Sequence, residues 1–149
     1  MLRPPISPNR KTCQDCFWSH KAGPGPKVLR CVHSGMQRVE PDWPACILWE
    51  DTIECLDCAA CCGPAFDAVE VSKRDPVRIR HPEVLMLNEG RWCIKRREGN
   101  VCSQLQKDNK CAIYQDRPQC CRDFTRGSAN CLFARQRVGL SGFWNISSN

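Results

Sequence analysis

The chain has 149 residues, which is enough for one domain of ordinary size or for two small ones. Hydrophobic residues make up 42% of it, but 14 residues are cysteines, and the remaining apolar material amounts to only about a third of the chain. That is thin for a conventional core, and no stretch approaches the ~18 consecutive apolar residues of a membrane span.

The formal net charge of +6 would favour nucleic-acid binding if the cysteines stayed neutral. A metal-bound cysteine is an anion, and four thiolates on Zn²⁺ or on an oxidised four-iron cluster leave a net charge of about −2 per site. Three such sites would cancel the excess. We therefore expect metal ions as ligands, with no nucleic-acid and no membrane partner.

Residues 1–11 are rich in proline and basic residues and predict a disordered tail. They contain no apolar run of the ~7–15 residues typical of a secretory signal. We therefore expect a cytoplasmic protein, in which reduced thiols favour metal binding over disulfides. A secreted disulfide scaffold whose signal has been removed is the alternative. The adjacent pairs Cys61-Cys62 and Cys120-Cys121 argue against it.

Residues 12–50 predict a loop-rich knot around four cysteines. These are Cys13, Cys16, Cys31 and Cys46, separated by 2, 14 and 14 residues. Turn signals lie at Gly23–Pro26 and at Glu40–Pro44. Such a tetrad fits a zinc knuckle or a small four-iron site. His33 could replace one thiolate, although a surface histidine with no such role is the commoner case. Tryptophans close to the cysteines either shield a metal from water or form the core.

Through its Cys-x2-Cys-Phe-Trp and Asp-Trp-Pro-Ala-Cys-Ile-Leu-Trp segments, this block resembles the high-potential-iron-protein-like small subunits that accompany glycyl radical enzymes. The resemblance implies an iron–sulfur cluster and a larger redox enzyme as partner.

Further along the chain, short elements alternate with turns. Residues 66–71 alternate apolar and polar side chains and predict a short strand. Asp75-Pro76 predicts the start of a helix that ends near Arg80, and residues 82–88 predict one or two further helical turns before Gly90. Helices are also expected over residues 119–124 and 132–138, with a loose tail at 141–149.

The densest signal is Cys55-x2-Cys58-x2-Cys61-Cys62, in which two-residue gaps let thiolates converge on one centre. Downstream lie Cys102, a Cys111-x-Ile-Tyr segment, an Arg-Pro-x-x-Cys-Arg segment around Cys121, and a last cysteine nine residues beyond it. Over residues 52–133 this pattern resembles the YkgJ-like cysteine-cluster family of bacteria, described as a zinc- or iron-chelating domain. The resemblance implies eight metal ligands: Cys55, Cys58, Cys61, Cys62, Cys102, Cys111, Cys121 and Cys131. Cys93 and Cys120 fall outside the pattern.

We therefore expect a small, loop-dominated α+β fold with a metal-stabilised core. Its predicted divisions are a tail at 1–11, a four-cysteine knot at 12–50, an eight-cysteine domain at 51–140 and a tail at 141–149. Two or three centres would hold iron–sulfur clusters, [4Fe-4S] in type, or zinc. The function we favour is non-catalytic metal storage, carriage or structural use, since no nucleophile is paired with a base. An iron–sulfur electron-transfer subunit is the first alternative, and a zinc-ribbon-like interaction module is the second.

Overall fold

The structure is a computed structural model that describes residues 3–22 and 28–144. It divides into two compact units. The first unit combines Met1–Ile53 with Gly127–Asn149, and the second unit is Glu54–Arg126. The cysteine pattern predicts a single domain over residues 51–140. Within the described residues, no helix has both the length and the apolar character needed to cross a membrane.

The first unit contains a three-stranded antiparallel sheet, which the sequence analysis did not predict. Its strands are β1 (Ser19–Ala22), β2 (Val28–Cys31) and β3 (Gln37–Val39), in the order β1-β2-β3. Leu29 and Cys31 alternate with less buried residues along β2, which gives the sheet one buried face. The turn predicted at Gly23–Pro26 lies outside the described residues.

Residues 3–11, for which the sequence predicts a disordered tail, are paired with the rest of the first unit. The backbone N–H of Ser7 donates to the Ala45 carbonyl at 2.8 Å, and that of Ile47 donates to the Pro5 carbonyl at 2.8 Å. These bonds align the segment with the stretch that carries Cys46. Residues 1–2 and 145–149 of the predicted tails lie outside the described residues.

A nine-residue helix, Ala129–Arg137, also belongs to the first unit and begins three residues before the predicted start. The Ser128 hydroxyl caps it by accepting a hydrogen bond from the Cys131 N–H at 3.2 Å. Gly139 follows its end with a φ of 77°, the left-handed conformation that favours glycine after a helix.

The second unit is built from one-turn helices and two-stranded hairpins. Its helices are α1 (Cys55–Cys58), α2 (Val77–Arg80) and α3 (Gln119–Arg122), so that Ala129–Arg137 becomes α4; its strands are β4 (Leu85–Asn88), β5 (Arg91–Ile94), β6 (Arg96–Arg97) and β7 (Val101–Cys102). Single 3-10 turns cover Cys13–Asp15 in the first unit and Pro82–Val84 and Tyr114–Asp116 in the second. The prediction of a small fold with short helices and a few short antiparallel strands is confirmed.

Two local predictions in the second unit hold only in part. Residues 82–88 form a 3-10 turn and then β4, because the pair Glu89-Gly90, with φ values of 50° and 78°, closes a two-residue hairpin to β5. Residues 66–71 make only an isolated bridge between Glu70 and Cys93.

The core of the second unit is aliphatic, with cysteines at its edge. It consists of Val69, Val71, Val77, Leu85, Ile94, Cys102 and Ile113, against which Cys62, Val84, Cys111 and Cys121 pack. In the first unit, Cys13 and Cys31 are themselves part of a buried cluster with Leu29 and Val39. Cysteines therefore border the apolar interior in both units.

Candidate metal centres

The first unit draws its four-cysteine group, Cys13, Cys16, Cys31 and Cys46, from three segments. Cys13 begins a 3-10 turn, Cys16 follows that turn, Cys31 ends β2, and Cys46 forms a bridge with Ile6. Burial raises the pKa of the Cys13 thiol, and the charges of Cys31 and Cys46 raise it further. Cys31 and Cys46 also raise the pKa of Cys16, after the larger effect of burial. The four thiols are therefore electrostatic neighbours.

Several N–H groups already point at these sulfur atoms. Burial is the largest influence on the pKa of Cys31 and raises it, whereas the backbone N–H groups of Ser34 and His33 partly lower it. Backbone N–H groups of Glu50 and Trp18 act in the same way on Cys16. N–H groups that face sulfur stabilise a thiolate over a thiol. Such donors are typical of sites where cysteine is metal-bound.

The guanidinium of Arg3 adds a positive charge to this group. Its Nη2 donates to Cys13 Sγ at 3.5 Å and to the Pro44 carbonyl at 2.6 Å, and the group lies 4.6 Å above the Trp43 ring. The sequence analysis missed this residue because it assigned Arg3 to a disordered tail.

Glu50 is a second residue that the sequence analysis missed. Its carboxylate accepts hydrogen bonds from Trp18 Nε1 at 2.7 Å, from Arg135 Nη2 at 2.7 Å and from the Ser141 hydroxyl at 2.5 Å. Trp18 is completely buried. These contacts join three parts of the first unit. Trp18, one of the three partners, lies two residues after Cys16 in the chain. No local sequence signal marks them, since the partners lie far apart in the chain.

In the second unit, the sulfur atoms of Cys62, Cys102, Cys111 and Cys121 form a comparable group. The Cys62 thiol donates a hydrogen bond to Cys61, which raises the pKa of Cys62 together with burial. Burial and then Cys62 raise the pKa of Cys102, and burial, Cys62 and Cys102 raise that of Cys111. Cys62 and Cys102 also raise the pKa of Cys121, after its hydrogen bond to Cys120 and burial. Each of these four thiols therefore takes part in at least two of these pairwise interactions.

The local backbone explains how these four cysteines meet. The Cys102 N–H donates to the Cys62 carbonyl at 2.9 Å, and Cys111 forms a bridge with Leu105. Gly63, directly after the Cys-Cys pair, lies so close to the preceding turn that a Cβ there would meet the Ala59 carbonyl oxygen at 3.3 Å. A glycine therefore fits the chain as it leaves the turn beside Cys62 with less crowding than a larger residue.

Two arginines face this second group. The charges of Arg96 and Arg117 lower the pKa of Cys62, against the larger effects of its hydrogen bond and burial. Arg96 also acts on Cys102, and Arg117 on Cys111. Half-buried thiolates would find two compensating cations in place.

The other cysteines are placed differently. Cys55 is exposed and Cys58 is half-buried, at the two ends of α1. Cys131 lies in α4, and so in the first unit, although the sequence pattern grouped it with the cysteines of the second. Cys120 donates from Sγ to the Glu70 carbonyl at 3.2 Å, and its pKa is lowered to about 7 by the hydrogen bond from Cys121. Cys93 is buried opposite Glu70.

Across residues 3–22 and 28–144, no three His, Cys, Asp or Glu side chains already stand in an arrangement that could hold a metal ion. The chemistry of both four-cysteine groups nevertheless suits a thiophilic metal. Within each group the thiols act on one another electrostatically, and N–H groups or guanidinium charges face them. Two residues that closely follow cysteines of the first group, and one arginine that acts on the second, also carry buried nitrogen atoms without an acceptor: His33 Nδ1 and Nε2, Trp49 Nε1 and Arg96 Nη1. His33 is thus half-buried and unpaired, unlike the surface histidine that the sequence analysis favoured.

Comparison with known proteins gives one match. The CxxCxxCC family model, described as "Putative zinc- or iron-chelating domain", matches residues 54–137, more than half of the chain. The resemblance predicted for residues 52–133 is thereby confirmed. No curated protein and no solved structure matches the chain. The weaker resemblance of residues 12–50 stays a prediction.

Proposed function

The chain belongs to the CxxCxxCC family of zinc- or iron-chelating domains, and we propose that it is a non-catalytic metal protein with two separate four-thiolate centres. Cys13, Cys16, Cys31 and Cys46 would hold one metal or cluster in the first unit. Cys62, Cys102, Cys111 and Cys121 would hold another in the second. The observation that carries the proposal is that each group of four thiols is electrostatically coupled within a single unit.

A bound metal would supply charge to these groups, replacing the protons of the thiols and cross-linking distant segments. Because burial raises the pKa of the buried thiols, they are protonated near neutral pH until a metal displaces their protons. The protein's own contribution is to bring the four sulfur atoms together and to surround them with N–H groups and guanidinium charge. Cys55, Cys58, Cys61 and Cys131 stay predicted metal ligands that are not assigned to either centre.

Storage, carriage or structural use of the metal is the role we propose, in the cytoplasm. Electron transfer through iron–sulfur clusters is a second candidate, favoured by the aromatic surroundings of the first group. Trp18 is fully buried there, and Trp43 packs against the cluster that contains Cys13 and Cys31. Apolar rings that exclude water tune the potential of a cluster.

The test is elemental analysis of anaerobically purified protein for iron, zinc and acid-labile sulfide per chain. We expect metal in both units. Cys111→Ser should lose the metal bound by the second unit, and Cys16→Ser should lose the metal bound by the first. Cys93→Ser, a buried cysteine outside both groups, should keep the full content. Wild-type protein without stoichiometric metal, or Cys111→Ser with unchanged content, would contradict the proposal. Zinc without iron or sulfide would remove the electron-transfer candidate.

A further inference from the structure

Among the described residues, buried side-chain nitrogen atoms without a hydrogen-bond partner occur in two residues that closely follow cysteines of the first group and in one whose charge acts on cysteines of the second. They belong to His33 and Trp49 in the first unit and to Arg96 in the second. A buried donor without an acceptor is costly, and native proteins contain few of them. Their shared relation to the cysteines suggests that the missing acceptor is the same kind of atom in each case.

Trp49 is the simplest case, because an indole nitrogen can only donate. Its backbone N–H donates to the Cys46 carbonyl at 3.0 Å, which closes a turn and keeps the residue next to Cys46. Its Nε1 is buried without a partner. Nearby Trp18, by contrast, satisfies its own Nε1 on Glu50 at 2.7 Å.

His33 lies two residues after Cys31, and its backbone N–H already faces the Cys31 sulfur. Its ring packs edge-on against Trp18 with the centroids 5.6 Å apart. Both ring nitrogens are buried and unpaired. A neutral imidazole carries one N–H, so one of these atoms is a donor that needs an acceptor.

Two of the three guanidinium nitrogens of Arg96 donate hydrogen bonds, and the third does not. Its Nη2 donates to the Gly63 carbonyl at 3.0 Å and also to the Phe66 carbonyl, and its Nε donates to Asn100 Oδ1 at 3.3 Å. These bonds fix the guanidinium beside the loop that follows Cys62. The buried Nη1 has no hydrogen-bond partner.

We propose that Trp49, His33 and Arg96 donate N–H···S hydrogen bonds to the metal-bound cysteines of their own unit. A neutral thiol is a weak acceptor, whereas a metal-bound thiolate is an anion with free lone pairs. Metal binding would therefore create the acceptors that these donors lack. This inference rests on the proposed function. The donors withdraw charge from sulfur, so they make the thiolates less nucleophilic and slow the loss of metal to thiol reagents.

A direct test uses protein loaded with ¹¹³Cd. Scalar coupling between ¹¹³Cd and the Trp49 indole proton is expected, because a hydrogen bond to sulfur transmits it. The backbone N–H of Ser34, which faces Cys31, serves as the internal reference. Coupling at Ser34 without any coupling at Trp49 would overturn the inference for this residue.

The second test compares variants of the cobalt- or zinc-loaded protein. Trp49→Phe should eject metal about threefold to tenfold faster with a thiol reagent and shift the sulfur-to-cobalt absorption to lower energy. Trp144→Phe is the matched control, because Trp144 packs against the same cluster but has no unpaired buried nitrogen. His33→Leu should behave like Trp49→Phe, and His33→Gln, which keeps an N–H, should restore most of the wild-type rate.

In the second unit, Arg96→Met should accelerate ejection, whereas Arg97→Met, at the exposed neighbouring position, should not. If Trp49→Phe, His33→Leu and Arg96→Met all eject metal at the rates of their controls, the inference is wrong. The metal content of the same samples keeps that failure distinct from a failure of the proposed function. Should Trp49→Phe fail to fold, the His33 pair decides the matter for the first unit.

Discussion

Asp75 is a buried carboxylate that holds two separate backbone N–H groups of the second unit. Its side chain accepts from Ser72 N at 2.7 Å and from Gln119 N at 2.9 Å, and the residue is only 5% exposed. Gln119 begins α3, the helix that carries Cys120 and Cys121. Asp75 therefore anchors the start of this helix to a segment more than forty residues earlier in the chain.

We predict that Asp75→Ala lowers the free energy of unfolding of the metal-loaded protein by about 2–4 kcal/mol, because two buried N–H groups lose their acceptor. Urea unfolding followed by circular dichroism measures the loss. Glu98→Ala, which removes an exposed carboxylate from the same unit, should change the free energy by less than about 0.5 kcal/mol. Equal effects of the two substitutions would show that Asp75 does not anchor α3.

Asp116 gives the second unit a dependence on pH. Its hydrogen bond with His81, at 2.9 Å, and then its bond with Arg80 hold the pKa of this carboxyl below its ordinary value of 3.8. A carboxyl whose pKa is lower in the folded protein than in the unfolded chain stabilises the folded state. The stabilisation is complete at pH values above the pKa of the unfolded chain, and it is lost as the pH falls through the pKa of the folded protein.

We therefore expect Asp116→Asn to unfold at a higher pH than wild type when the metal-loaded protein is titrated with acid. The difference in urea midpoint between the two proteins should be largest above pH 3.8. It should shrink as the pH falls below this value, over the range in which both proteins are still folded. Glu98→Gln is the control for removing a negative charge at an exposed site. A difference that does not change with pH would contradict the assignment.

At the scale of elements, α4 is fixed in the first unit by an ion pair. Arg135 Nη2 and Glu50 Oε1 are 2.7 Å apart, and their side chains are 10% and 23% exposed. The Ser141 hydroxyl and Trp18 share the same carboxylate. Breaking one partner of such a pair leaves a poorly solvated charge.

We predict that Glu50→Gln destabilises the metal-loaded protein by about 2–4 kcal/mol and raises amide hydrogen exchange throughout α4. Combining it with Arg135→Met should recover part of the loss, because the unpaired cation is removed as well. Amide exchange measured by NMR at residues 129–137 tests both variants. If the double variant is as unstable as the sum of the singles, the pair is not coupled.

Local signals predicted some elements well and others not at all. The Asp75-Pro76 dipeptide correctly predicted α2, but the carboxylate serves Ser72 and α3 rather than capping α2 itself, a contact that no local rule specifies. The hairpin at Glu89-Gly90 was mistaken for the end of a helix. The β1-β2-β3 sheet was missed because the glycine and proline turn signals at Gly23–Pro26 and Glu40–Pro44 suggested loops.

At the scale of the whole molecule, the cysteine spacing predicted which residue types carry the chemistry and which family the chain belongs to. It did not predict how the thiols are grouped. Cys62 acts on Cys102, Cys111 and Cys121, which lie far from it in the chain. Cys131, ten residues after Cys121 in sequence, belongs to the other unit. Spacing fixes only neighbours along the chain, whereas a four-thiolate site depends on segments that the fold brings together.

Metal removal tests how far the fold depends on its proposed centres. A structural zinc contributes on the order of 10 kcal/mol in small domains, which is comparable to the whole stability of a typical domain. The aliphatic cluster of the second unit is small and has half-buried cysteines along its edge. Without metal, these cysteines would be uncross-linked thiols at the boundary of a marginal core.

We therefore expect chelation to unfold much of the second unit, seen as a collapse of amide dispersion in the NMR spectra of residues 54–126. Cys58→Ser should cause part of the same loss if Cys58 is a ligand as predicted, whereas Cys93→Ser should leave the metal-loaded spectrum dispersed. The aliphatic cluster alone would be sufficient if the metal-free protein still unfolded in a single cooperative transition, and the metals would then be cargo rather than part of the fold.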